Sequence, residues 1–422
     1  MLNLKQLDKG KTFNQLLFIA LFCMLGSQYY LVFDSVHARK IFYAMGYLTI
    51  ILAIVFHSQF LRPFRNKSLT FSILFLALSF IVWAMFFKQE SPFHDVYNGY
   101  GTSGRILLMF GILTFIYSNA KPHSKPFLLD LVFIIGGLAA NLYAIYQYNQ
   151  LHLARIELSF DRATMAAYVL TVLDILMLHA VLNHHGWKRY ALFVLAICFS
   201  FSAIVFSGTR AAIISYPVLC LVLSFTHREV NKTHLIKLIG CFIALCIAIG
   251  FIFKQPLQQR INALIYDISV FQAQNSKTSV GARFAMVDAG FQAGLQAPLG
   301  QSAERRGSEI QEITKKNVAL TGADTFLNVH MHNELIDNFS LRGVVGVIAV
   351  LMLYASLIWC SWKNRNPALF VITLSMMIYG LSDVIFFSRE GTLTYVISIL
   401  TAMTFLNIQS LPSSPLTGND RR

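Results

Sequence analysis

Histidine, arginine and a late aspartate are the residues of this chain that invite a chemical reading. His332 and Asn333 open the stretch HNELIDNFSLRGVVG, residues 332–346. It closes a polar interval and opens an apolar one. Residues 254–342 hold nine Lys/Arg and eight Asp/Glu, whereas GVVGVIAVLMLYASLIWC (343–360) holds no charge over eighteen residues and reads as a membrane span. His332 therefore falls where a water-exposed segment meets a bilayer. Asn333 is a helix N-cap by type and place, and Leu335, Ile336 and Phe339 share one helical face. A histidine at a helix N-terminus feels the positive end of the macrodipole, which disfavours the imidazolium. A neutral imidazole at the water boundary suits a proton acceptor. His330 and His332 form HMH with Glu334 and Asp337 nearby, but the spacing supplies no third convergent ligand, so no metal site is read.

Arg210 stands in SGTRAA (207–212) between two apolar blocks, where a cation must reach water, a partner or a headgroup. Asp383 lies in GLSDVIFF (380–387), read as the interior of a late span, where a carboxylate is costly and faces a cavity or a cation. Asp174, in an earlier span near His179, reads as structural. There is no GxxxxGK[ST] loop and no pair of aspartates two residues apart, so neither ATP nor a metal-held nucleotide sugar is read, and no cofactor.

These residues must be positioned by membrane helices. The 422 residues are 56% hydrophobic and only 13% charged, and the apolar residues come in long blocks. The fold expected is an all-α integral membrane protein with about twelve spans, near 14–33, 41–61, 69–87, 105–120, 127–148, 163–182, 190–207, 211–226, 237–253, 343–360, 368–388 and 391–408. Residues 1–253 form an N-terminal bundle of about nine helices, 254–342 a long loop ending in the histidine motif, and 343–422 a three-helix segment with a short tail. Six scattered cysteines suggest neither disulfides nor zinc, and no removable signal peptide is read. The net charge of +14 points to anionic lipid contact and orientation bias, not to nucleic acid.

Seventeen Lys/Arg fall in short segments on the side of the termini and eight on the other, so both termini are expected in the cytoplasm and the long loop across the membrane, in the periplasm of a Gram-negative cell. The eight are Arg39, Lys40, Lys88, Arg105, Arg155, Arg162, Arg210 and Arg389. Six are arginine, whose planar fork binds two phosphate oxygens at once, so the set favours an anionic ligand over simple headgroup contact. For Arg39 and Arg389 nothing but location argues. In the long loop, Leu257, Ile261, Leu264, Ile265, Ile268 and Phe271 repeat at helical spacing, predicting an amphipathic helix. GARFAMVDAGFQAG (281–294) predicts a second, with Arg283 on its first turn, and PLGQSAERRGSEIQEITKK (298–316) reads as polar and mobile.

His332-Asn333, nine residues, Gly343, two residues and Gly346 resemble the motif H[NSQ]x9Gxx[GTY] of the O-antigen ligase family. The long loop, SGTR between two spans, an arginine-led loop helix and a late intramembrane aspartate are similar too. The resemblance runs from about Arg155 to Asp383. It implies a metal-independent membrane glycosyltransferase that joins a polysaccharide from undecaprenyl diphosphate to lipid A-core. It further implies His332 as the base, with Arg210 and Arg283 as catalytic arginines. Arg105, Arg155, Arg162, Asn333 and Asp383 are then substrate-binding residues, the first three matched by loop only. LSFDRATMAAYVL (158–170) lacks the Pro-Asn of many relatives. O-oligosaccharyltransferases and polysaccharide polymerases share the domain and remain alternatives. A lipid-linked glycan transporter would want charges at the bilayer midplane and matching halves, whereas these cations gather at one face.

Overall fold

The structure, a computed structural model, describes residues 4–57, 66–120, 122, 125–150, 155–160, 162–231, 240, 244, 247, 251, 254–273 and 275–406. Its elements are α-helical or 3-10. α1 (Leu4–Tyr30), α2 (Ser35–Val55), α3 (Lys67–Phe87), α4 (His94–Ala120), α5 (Pro126–Gln150), α6 (Ala163–Asn183), α7 (Lys188–Phe206) and α8 (Arg210–Thr226) form the N-terminal part. The loop carries α9 (Lys254–Gln272), α10 (Ser279–Gln296), α11 (Ala303–Lys316) and a 3-10 segment, Val318–Phe326. α12 (Glu334–Lys363), α13 (Pro367–Gly380), a short 3-10 turn (Ile385–Phe387) and α14 (Arg389–Phe405) complete the chain.

α6 is the axis of the bundle. It is apolar on every face apart from the buried Asp174 and His179, and a helix without a polar face is stable only when surrounded. It packs against α5, α7, α8, α13 and α14. Asp174 Oδ1 accepts from Asn141 Nδ2 at 2.6 Å. Outer helices leave apolar side chains such as Ile54, Met85, Phe86, Phe127 and Leu195 uncovered, as lipid-facing helices do.

Seven helices among the described residues, α2–α7 and α12, are long and apolar enough to cross a membrane, and α8 and α13 are shorter apolar helices. The expectation of about twelve spans is not reproduced. α1 and α14 coincide with expected spans but fall outside both groups. The expected span 237–253 lies mostly outside the described residues. The expected span 368–388 ends as a helix at Gly380, because residues 381–383 turn back on the carbonyls of Ile378 and Tyr379. Asp383 thus sits in the turn between two helices, not inside one.

The loop is a packed layer. α9 forms where apolar periodicity predicts it, and α10 begins at Ser279 with Thr278 as its cap, so Arg283 falls in the second turn. Residues 302–316 are not mobile in character. Ser302 caps α11 through Arg305 N–H, and Arg306 is fully buried. Glu304 accepts the Tyr97 and Ser91 hydroxyls of α4 and its preceding turn, which fixes α11 against the bundle. Ala285, Met286, Ala289, Ile310, Ala323 and Met331 form a second, small core.

The motif glycine Gly343 joins this layer to the membrane helix. It interrupts α12 at φ 62°, ψ −152°, and the Pro298 carbonyl would lie 2.0 Å from a Cβ there. Only glycine lets that carbonyl approach and accept the Val344 N–H at 2.9 Å.

Candidate active site

His332 precedes α12. Asn333 Oδ1 accepts the Leu335 and Ile336 N–H groups at 3.1 Å each, the cap expected from its type. Its Nδ2 donates to the Leu381 carbonyl at 3.2 Å, so Asn333 also pins the Asp383 turn. Both ends of this amide are used in building the site, which makes Asn333 a positioning residue. His332 itself has φ 50°, an uncommon backbone for a residue with a side chain. The chain bends at His332, whose N–H folds back onto His330 Nδ1 at 3.2 Å. Met331 enters the small loop core, while the rings of His330 and His332 lie 4.4 Å apart.

Asp383 meets both rings. Its Oδ1 is 3.5 Å from His332 Nδ1 and 3.4 Å from His330 Nε2, and it accepts the Val384 N–H at 2.9 Å. Burial works to raise this carboxyl, but the two imidazoles and that N–H outweigh it and hold the group below the ordinary carboxylate range. His330 is fully buried, and burial pushes it down to about 3. The His332 N–H points at Nδ1 and the Arg162 guanidinium at Nε2, and a neutral ring accepts at one of these nitrogens and carries its hydrogen on the other. An imidazolium would set hydrogens against both donors. His332 is the more open ring, 17% exposed.

The structure thus gathers His332, Asn333, Asp383 and Arg162. Arg162 precedes α6 and also lies over the Phe387 ring, 5.5 Å from its centroid. Arg283 stands half-buried on α10, and the Tyr168 hydroxyl meets Ser382 Oγ at 3.0 Å beside Asp383. Arg210 opens α8 and pairs with Asp267 of α9 at 2.9 Å. Arg155 holds the turn before it, donating to the Ser207 carbonyl at 2.8 Å and the Thr209 hydroxyl at 3.2 Å. Arg105 is not a loop residue, because α4 starts at His94. It is exposed and folds back on Gly101 and Thr102 of its own helix, with Tyr43 of α2 as an electrostatic neighbour.

Two residues escaped the sequence. His330 was visible only as half of HMH. Arg306 sits in a charge-rich run that reads as a solvated face. Its NH1 donates to Asp337 Oδ1 at 2.9 Å and its NH2 to the Val329 carbonyl at 2.9 Å, and Asp337 Oδ1 accepts the Met331 N–H at 2.8 Å. Tyr100 donates to the other carboxylate oxygen. This buried pair grips the backbone on both sides of His330. Beside it lies a cleft of about 350 Å³, bordered by Asp95, Phe160, Arg162, Phe387, Arg389 and Glu390.

A family model described as O-antigen ligase matches residues 191–351, which include Arg210, Arg283, Arg306 and the histidine motif. The chain is 28% identical over 381 residues to an O-antigen ligase of Escherichia coli (strain K12), covering 89% of this chain and 90% of that protein. It is 24% identical over 340 residues to an uncharacterized protein of Haemophilus influenzae, covering 78% and 82%. Residues 191–351 thus match the O-antigen ligase family model, and the chain is similar over most of its length to an O-antigen ligase.

Proposed function

We propose that this protein is an O-antigen ligase that transfers a polysaccharide from undecaprenyl diphosphate to a hydroxyl of lipid A-core, at the periplasmic face of the inner membrane. The observation that carries the reading is the pairing of His332 Nδ1 with the buried Asp383 carboxylate, at the start of the helix that follows the loop. Asp383 orients the ring with its proton on Nδ1, leaving Nε2 to accept a proton. The acceptor hydroxyl gives its proton to Nε2 as its oxygen attacks the anomeric carbon. The bond from that carbon to the diphosphate breaks, and its electron pair leaves with the lipid carrier. Arg283 and Arg210 take up the charge gathering on the diphosphate, with Asp267 holding one N–H of the Arg210 fork.

His330, His332 and Asp383 bring ligand-type atoms within 4.8 Å of one another, a spacing compatible with a metal ion. We read the trio as proton-handling instead, because the Arg162 guanidinium already points at His330 Nε2 and would repel a cation there. The decisive experiment combines purified protein, lipid-linked polysaccharide and core lipid. Polymer on the core supports ligation, and polymer lengthened on the carrier assigns a polymerase. Sidedness is tested by periplasm-active reporters, expected to be active after Lys277 and inactive after Lys363.

A further inference from the structure

The cleft beside His330 is not accounted for by proton transfer or by the diphosphate. Its border holds two acids, Asp95 and Glu390, two guanidiniums, Arg162 and Arg389, and the rings of Phe160 and Phe387. Two acids balance two guanidiniums, so the cleft has no excess of positive charge with which to draw a diphosphate from water. Neither Arg210 nor Arg283 borders it. What the set does suit is a sugar ring, which offers hydroxyls to carboxylates as donors and to guanidiniums as acceptors, and a C–H face to an aromatic ring. A volume of about 350 Å³ falls at the lower end of small-ligand pockets, the scale of one or two sugar units.

The cleft is also built rather than incidental. Ser388 caps α14 through the Gly391 N–H at 3.1 Å and donates to Glu390 Oε2 at 3.1 Å, which aims that carboxylate. Phe387 is held by Tyr100, with ring centroids 5.5 Å apart, and by His330 at 4.9 Å, and a Cβ on Gly99 would come within 3.0 Å of its ring. Arg162 borders the cleft with one side and touches His330 with another. A sugar seated here therefore lies next to the histidine pair. In a displacement the nucleophile and the leaving group sit on opposite sides of the reacting carbon. With the diphosphate on Arg283 and Arg210, this cleft is on hand for the nucleophile.

Resting on the ligase reading, we propose that the cleft is the acceptor-sugar subsite, in which Arg389 and Glu390 recognise hydroxyls of the saccharide that supplies the nucleophile. The test is a steady-state comparison of wild type, Glu390→Gln and Arg389→Gln, varying acceptor and lipid-linked donor in turn. Binding of the free core oligosaccharide is measured separately by saturation-transfer NMR. Loss of a hydrogen bond to a charged group predicts about a tenfold rise in the KM for acceptor. The donor KM and the rate at saturating acceptor stay near wild type, and the NMR signal weakens to match. A raised donor KM with the acceptor KM unchanged would overturn the proposal and give the cleft to the donor glycan. Unchanged values for both, with undiminished binding, would also overturn it. If wild type places no polymer on core lipid, the ligase reading fails by itself. The NMR arm then still decides the subsite, since core oligosaccharide binding that Glu390→Gln abolishes supports it and absence of binding to wild type refutes it.

Discussion

Arg306→Met removes a buried guanidinium and leaves its volume nearly filled. The lost contacts are the 2.9 Å bonds to Asp337 Oδ1 and the Val329 carbonyl, and a longer one to the Leu327 carbonyl. Asp337 is itself fully buried, so its charge loses its ion-pair partner in a place water does not reach. Breaking one side of such a pair costs about 3–5 kcal/mol, most of it the penalty of the charge left behind. That exceeds the stability of most single loops, so the turn that carries His330 and His332 should open before the bundle does. Misplacing a catalytic group by about 1 Å lowers turnover roughly a hundredfold, and we expect that loss with normal protein levels. Amide exchange reports the cause independently, because the Met331 N–H donates to the same carboxylate oxygen as Arg306. Arg306→Met should expose Met331 to exchange, and the double variant Arg306→Met/Asp337→Asn should recover part of its protection because the carboxylate stranded by the loss of Arg306 is gone. Near-wild-type transfer by Arg306→Met, with Met331 still protected, would refute the claim that this pair holds the histidines.

His332→Gln keeps hydrogen bonding but accepts no proton near neutral pH, so transfer should fall by about a hundred- to ten-thousand-fold; a near-normal rate at normal protein level would make the histidine positional. Arg283→Lys should lose most activity while inserting normally, because an ammonium cannot grip two oxygens with a planar fork; unimpaired ligation would reduce Arg283 to a general positive charge. Chelators should leave the purified enzyme active, and loss with EDTA reversed by a divalent ion would turn His330, His332 and Asp383 into ligands. Acid should loosen the HMH turn: His330 titrates at about 3 in the packed turn against 6.5 in the open chain, so below about pH 6.5 the open form binds the extra proton and gains about 1.4 kcal/mol per pH unit. Asp383, held below its ordinary range, adds to that trend below about pH 4. Met331 protection, corrected for intrinsic exchange, should therefore fall from pH 7 to pH 5, and a constant value would show that His330 is not buried neutral.

What the sequence yields and what it hides divide along the reach of the interactions involved. Asn333 is legible as a cap because the N–H groups it accepts are two and three residues away. α9 and α10 are legible because apolar periodicity is local. Arg306 is not, because its partners arrive 23 and 31 residues later and its own neighbours are charged. A run such as AERRGSEIQEITKK looks the same whether one arginine is solvated or fully buried. Asp383 misleads for the opposite reason. Its apolar flanks imitate a span, and only the turn after Gly380 takes the carboxylate out of a helix and toward two histidines. The contact between Arg162 and His330, 168 residues apart, has no local trace at all. One signal was available in HMH itself. A methionine between two histidines offers one apolar side chain to a core and two imidazoles to a shared polar environment, which is how the fold uses them. Read that way, His330 ceases to be a bystander, and the need for something charged to face both rings follows from three consecutive residues.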